Sequence, residues 1–161
     1  MYTSVSCLNW LEYVVKCVLK MCIRDREKGL VVASWAPQVQ ILGHSSVGGF
    51  LSHCGWNSIL ESVQEGVPLI TWPLFAEQRM NAVMLAEGLK VALRPRFDED
   101  GIVEKEEIAK VIKCLMEEEI GKGMRQRMMT LKGFTAQALK DGSSRQTLLQ
   151  LTSEWENLSE N

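Results

Sequence analysis

From Gly29 onward the chain alternates short apolar, β-branched runs with stretches of helical periodicity, and this alternation most constrains its fold. Leu30-Val31-Val32-Ala33-Ser34-Trp35 reads as a buried strand, Val47-Gly48-Gly49-Phe50-Leu51-Ser52 as a second, Leu69-Ile70-Thr71-Trp72 as a third and Lys90 to Leu93 as a fourth. Helical signals separate them. Gln38 to Leu42 ends at Gly43, and Asn57 to Glu65 is closed by Gly66 and Pro68. Glu77 to Glu87 carries a stripe through Met80, Val83, Met84 and Leu85, with Gly88 placed as its cap. Strands and helices alternating at this spacing predict βαβ units, an α/β fold with a mostly parallel sheet and helices on both faces.

After a turn at Asp98-Glu99-Asp100-Gly101 the chain reads as helical. Ile108, Val111, Ile112, Leu115 and Met116 make an apolar stripe. Gly121 and Gly123 are expected to separate it from a long helix, Met124 to Leu139. Asp141-Gly142-Ser143-Ser144 reads as a loop and N-cap before a last helix, Gln146 to Leu158.

Composition narrows the function classes. The 161 residues suit one ordinary domain. Lys and Arg number 18 against 20 Asp and Glu, a net charge of -2, so no basic footprint marks a nucleic-acid binder. Five cysteines, Cys7, Cys17, Cys22, Cys54 and Cys114, form no CxxC pair and no zinc set with His44 and His53, which fits reduced thiols and no metal. The apolar stretch Leu8 to Cys22 is interrupted by Glu12, Lys16 and Lys20 and lacks a preceding basic region. It reads as neither a signal peptide nor a membrane span, and a cytoplasmic location is expected.

In parallel α/β sheets, ligands bind beyond the carboxyl ends of the strands. Those ends carry the unusual residues: Trp35, His53 to Ser58, and Trp72 to Gln78. Ser52-His53-Cys54-Gly55-Trp56-Asn57-Ser58 leaves a strand and opens a helix, whose free N–H groups and dipole suit a phosphate or diphosphate. Ser58-x-x-Glu61 also has the spacing of a capping box, and spacing alone does not separate the two. Neither GxxxxGK[ST] nor GxGxxG occurs, which argues against a P-loop or a nicotinamide-dinucleotide site. Trp35 can stack on a flat base or pack against the fold. Gln38 can bond a hydroxyl, and Glu77-Gln78 offer the carboxylate and amide that hold sugar hydroxyls, or a solvated helix start. Cys54 reads as a small core residue and His44 as a surface or loop residue.

Together, Trp35-Ala36-Pro37-Gln38, His53-Cys54-Gly55-Trp56-Asn57-Ser58, Glu61, Gly66-Val67-Pro68, Trp72-Pro73 and Glu77-Gln78 resemble the plant secondary-product glycosyltransferase signature, without a gap from Trp35 to Gln78. The stretch onward to about Leu158 also resembles the C-terminal end of these UDP-sugar-dependent enzymes. The wording from Val31 to Asp100 is most similar to the group that glucosylates hydroquinone and other small phenols. The resemblance implies the GT-B fold, two Rossmann-like domains facing a cleft, with this chain carrying an incomplete C-terminal domain and a helical tail. It implies that Trp35 stacks on uracil and Ala36 bonds it through its backbone. Gln38 and Glu61 hold ribose hydroxyls, and His53, Asn57 and Ser58 contact the diphosphate. Trp56, Glu77 and Gln78 hold the sugar, with Gln78 pointing to UDP-glucose over UDP-galactose. Glu61 is expected in the first helical turn, where a capping and a ribose role coincide. The implied reaction transfers a hexose with inversion to a small acceptor such as a phenol, using no metal and no cofactor beyond the UDP-sugar, in a full-length enzyme expected to be monomeric.

The family's catalytic His and its Asp partner belong to an N-terminal domain with no counterpart here, so the expectation is a donor-binding region, residues 27–161, that is inactive alone. Residues 1–26 show no resemblance and read as sequence foreign to the family, joined near Arg26 as in a transcript-assembly artefact or a truncated gene model. The alternative is a short non-catalytic binder of UDP or a UDP-sugar, or the product of a decayed gene.

Overall fold

A computed structural model describes residue 32 and residues 35–159. The chain divides into two compact units, Met1–Pro37 and Gln38–Asn161. The segment 1–26, the apolar stretch Leu8 to Cys22 and most of the strand expected at Leu30 to Trp35 lie outside the described residues.

The second unit runs α1 (Gln38–Leu42), β1 (Phe50–Ser52), α2 (Trp56–Glu65), β2 (Leu69–Thr71), α3 (Gln78–Val83), β3 (Ala92–Leu93), α4 (Lys105–Glu117), α5 (Glu119–Asp141) and α6 (Ser143–Ser159). Its three described strands form a parallel sheet in the order β1-β2-β3. Phe50, Leu69 and Ala92 sit in register, as do Leu51, Ile70 and Leu93. Side chains alternate across a strand, so each row faces one side of the sheet. On one side Leu69 and Ala92 join Ile59 and Val63 of α2, Ala82 of α3, Leu85 and Met128 of α5 in a buried cluster. On the other, Ile70 meets Val111 and Leu115 of α4 and Met124 of α5. Met124 and Met128 are one helical turn apart, so α5 seals both clusters. The strands are shorter than expected: Val47 to Gly49, Trp72, Lys90 and Val91 fall outside them.

Helical boundaries differ most from the sequence reading where glycines were expected to mark them. Gly121 and Gly123 lie inside α5; the break from α4 falls at Glu118, which is extended (φ -91°, ψ 163°). Gly121 is buried, and a Cβ there would meet the Leu115 carbonyl oxygen, so this glycine permits close helix approach and ends nothing. α6 starts at Ser143, since Gly142 alone turns the chain. Gly88 belongs to a π-helical turn, Met84–Gly88, that continues α3; the left-handed residue beyond it is Lys90. Gly66 does cap α2 as expected, with φ 77° and bonds from its N–H and that of Val67 to the Val63 and Ser62 carbonyls.

The stripe assigned to α3 is also corrected. Leu85 is buried and Met84 packs on the same cluster as expected, but Met80 is 70% exposed and Val83 is exposed, while Gln78, Asn81 and Ala82 face inward. Two polar side chains take the inward face because hydrogen bonds await them there.

Candidate functional site at the carboxyl edge of the sheet

Parallel pairing brings the ends of β1 and β2 side by side, and the Trp72 N–H donates to the Ser52 carbonyl at 2.8 Å. The loops His53 to Gly55 and Trp72 to Glu77 therefore leave the sheet together, in the position where open α/β sheets bind ligands. Trp72 packs edge-on against Phe97, with ring centroids 5.9 Å apart.

The first loop is sharply bent. Cys54 has φ 66°, a left-handed conformation uncommon for a residue with a side chain. Its N–H donates to Ser52 Oγ at 3.1 Å and its thiol to the Ser52 carbonyl at 3.4 Å. Its own carbonyl accepts a bond from Asn81 Nδ2 at 3.0 Å. Cys54 is fully buried, as expected of a core residue, and burial pushes its thiol pKa up, partly offset by a backbone hydrogen bond from Trp72 and the charge of Arg94.

The bend delivers Gly55 to the N-terminus of α2. Gly55 is extended and has no side chain, so it caps none of the first N–H groups of the helix. A Cβ at Gly55 would run into His53 Nε2, so the imidazole lies directly over this glycine. His53, Trp56 and Asn57 are exposed at the same end. The capping-box alternative is not realised. Trp56 opens the helix, Ser58 is its third residue and Glu61 its sixth, which places Glu61 in the second turn and not the first. Both side chains instead meet Gln38 of α1. Gln38 Nε2 donates to Glu61 Oε2 at 2.7 Å and to Ser58 Oγ at 3.3 Å. Among the described residues, that leaves the Ser58 hydroxyl proton, the Gln38 carbonyl oxygen and the second Glu61 oxygen for a ligand.

In the second loop Gln78 is 4% exposed, and its Oε1 accepts from the N–H groups of Leu74 and Phe75 at 2.9 and 3.1 Å. Glu77 is exposed beside it. Trp35 and Ala36 belong to the Met1–Pro37 unit; Trp35 is exposed and Ala36 is half-buried. His44 lies exposed in a turn, its Nδ1 accepting from the Ser46 N–H. Sequence reasoning missed Asn81. Its only signal is a carboxamide three residues after Gln78, the spacing of one helix face.

An uncapped helix N-terminus at the carboxyl edge of a parallel sheet, with a histidine over it and a Gln–Ser–Glu cluster behind it, is chemistry of the kind that suits a polar anionic ligand in an α/β protein. Residues 25–133 match the model of the UDP-glucoronosyl and UDP-glucosyl transferase family, and the chain belongs to that family. It is 60% identical over 136 residues to a hydroquinone glucosyltransferase of Rauvolfia serpentina, covering 83% of this chain and 29% of that protein. UDP-glycosyltransferase 72B1 of Arabidopsis thaliana is 54% identical over 133 residues, covering 82% and 28%. UGT2 of Phytolacca americana, solved with UDP-2fluoro-glucose and pterostilbene, superposes with a TM-score of 0.80 at 51% identity, covering 86% of this chain and 32% of that one. A Polygonum tinctorium UDP-glucosyltransferase bound to 3,4-dichloroaniline gives 0.75 at 58% identity, covering 80% and 29%. The fold is thus that of plant GT-B glycosyltransferases, and the chain spans less than a third of the relatives it matches. Among the described residues no helix is long and apolar enough to cross a membrane.

Proposed function

We propose that this chain carries the donor site of a UDP-sugar-dependent hexosyltransferase. The observation that carries the proposal is the meeting of Gln38, Ser58 and Glu61 immediately behind the uncapped N-terminus of α2. A nucleoside diphosphate needs acceptors for two vicinal ribose hydroxyls and donors for an adjacent dianion. The free oxygens of Gln38 and Glu61 supply the first, and the helix N–H groups, His53, Asn57 and the Ser58 hydroxyl supply the second. Trp35 and Ala36 take the uracil, a role resting on sequence alone. Trp56, Glu77 and Gln78 take the hexose; with its oxygen held by the loop, Gln78 contributes its NH2 group. The relatives named for glucosyl transfer, hydroquinone among their acceptors, support glucose as the sugar and a small phenol as the acceptor.

We place the transfer itself in a full-length enzyme. An acceptor oxygen bonds to the anomeric carbon from the face opposite UDP, the C–O bond to the diphosphate breaks with its electron pair leaving on UDP, and a base takes the acceptor proton. None of the site residues here is assigned as that base. The N-terminus of α2 and His53 would stabilise the charge growing on UDP.

Calorimetric titration with UDP and with its 2′,3′-dideoxy analogue tests the reading. Saturable UDP binding is expected, weakened at least about ten-fold by Glu61→Ala, with the dideoxy analogue indifferent to that substitution. A folded chain that takes up no UDP would overturn the proposal.

A further inference from the structure

We propose that Asn81 is a positioning residue for the diphosphate, a role that rests on the donor-site reading. Asn81 lies outside the ligand-facing set: it is 6% exposed, on the inward face of α3, and its Nδ2 donates 3.0 Å to the Cys54 carbonyl, 27 residues earlier in the chain. That carbonyl belongs to the left-handed residue on which the β1–α2 loop turns. A side-chain-bearing residue reaches this conformation readily only where its surroundings hold it. Three bonds do so here. Ser52 Oγ and the Ser52 carbonyl hold the amino side and thiol of Cys54, and the Asn81 side chain holds its carbonyl.

The next peptide leads into Gly55, whose carbonyl accepts the first helical bond from the Ile59 N–H at 3.1 Å. Rotating the Cys54 peptide would swing Gly55 and the first N–H groups of α2 away from the place where His53 sits over the glycine. Asn81 therefore couples α3, and through Gln78 on the same face the loop Trp72 to Glu77, to the aim of the anion-binding helix. The Gln38–Glu61 pair hangs on α1 and the second turn of α2 and takes no bond from Asn81. Asn81 thus acts on the diphosphate and not on the nucleoside.

The test measures UDP and uridine affinity of the 161-residue chain, native and with Asn81→Asp or Asn81→Ala. Asn81→Asp keeps the shape and replaces the donor by an acceptor facing a carbonyl. Both variants are expected to lose at least about ten-fold in UDP affinity while uridine affinity changes less than about two-fold, which also reports an intact fold. Glycine adopts the left-handed conformation without a partner, so Cys54→Gly added to Asn81→Ala is expected to recover most of the UDP affinity. UDP affinity unchanged in both variants, a parallel loss of uridine binding, or no recovery by Cys54→Gly overturns the positioning role while the donor site stands. No UDP binding by the native chain overturns the donor-site reading, and this inference with it.

Discussion

The carboxyl edge of the sheet and the C-terminal helix α6 are built in opposite ways. At the edge, side chains far apart in sequence hold one another: Gln38 bonds Ser58 and Glu61, and Asn81 bonds Cys54. Along α6, Gln150 Nε2 donates to Glu154 Oε1 at 3.0 Å and Thr147 Oγ1 to the Ser143 carbonyl at 2.9 Å, partners about one turn apart. The edge sits on a sealed cluster, whereas Leu148, Leu149 and Trp155 of α6 stand exposed. A helix needs only local bonds to exist; a site needs its parts fixed against each other. Stability and precision are therefore concentrated at the edge.

Substitutions should grade accordingly. Leu69→Ala removes a fully buried side chain beneath the edge and is expected to cost about 2–5 kcal/mol in urea unfolding. A cost near that of a surface change would break the contrast. Gly121→Ala drives a methyl group into the Leu115 carbonyl where α5 crosses α4, and about 1–3 kcal/mol is expected in the same assay. Tolerance there would mean that α5 does not clamp the sheet.

A smaller effect sharpens the comparison through pH. Burial holds the Cys54 thiol above its ordinary value, so the folded state keeps this proton longer than the unfolded chain. The associated stability is fully present below the unfolded thiol pKa, near 9.0, and is lost as pH rises toward the higher folded value. Unfolding measured from pH 7 to pH 10 should show an alkaline decline that is shallower in Cys54→Ala; identical slopes would remove Cys54 from the account. The smallest effects belong to the tail. Leu149→Ala is expected within about 0.5 kcal/mol of the native chain. A larger loss would show that α6 is held by more than its own turns.

The same contrast explains what could be read from sequence. The alternation of strands and helices, the Gly66 cap and the Asp98 to Gly101 turn follow from local chemistry, and the structure has them, Asp98 Oδ1 accepting from the Ile102 N–H at 2.7 Å. The residues of the carboxyl-edge loops were visible as a group because parallel strands must end on one side. Their bonding was not. Ser58 and Glu61 carry capping-box spacing, yet the helix already begins at Trp56, two residues before Ser58, and Gln38 claims both side chains. Gly121 looked like a helix breaker because sequence shows its flexibility and hides its neighbour, the Leu115 carbonyl. The stripe held at Met84 and Leu85 but misled at Met80 and Val83, because apolar residues were assumed to face inward while a donor pair awaited Gln78 and an acceptor awaited Asn81. Long-range polar bonds leave no periodic trace.

The most direct test of the donor site is an amide proton–nitrogen NMR spectrum of the labelled chain titrated with UDP. The account predicts saturable shifts in the backbone amides of Gly55, Trp56, Asn57 and Ser58 and in the Gln38 side-chain amide, with the amides of Leu148 to Trp155 unmoved. Shifts confined to α6, or none at saturating UDP, would contradict it.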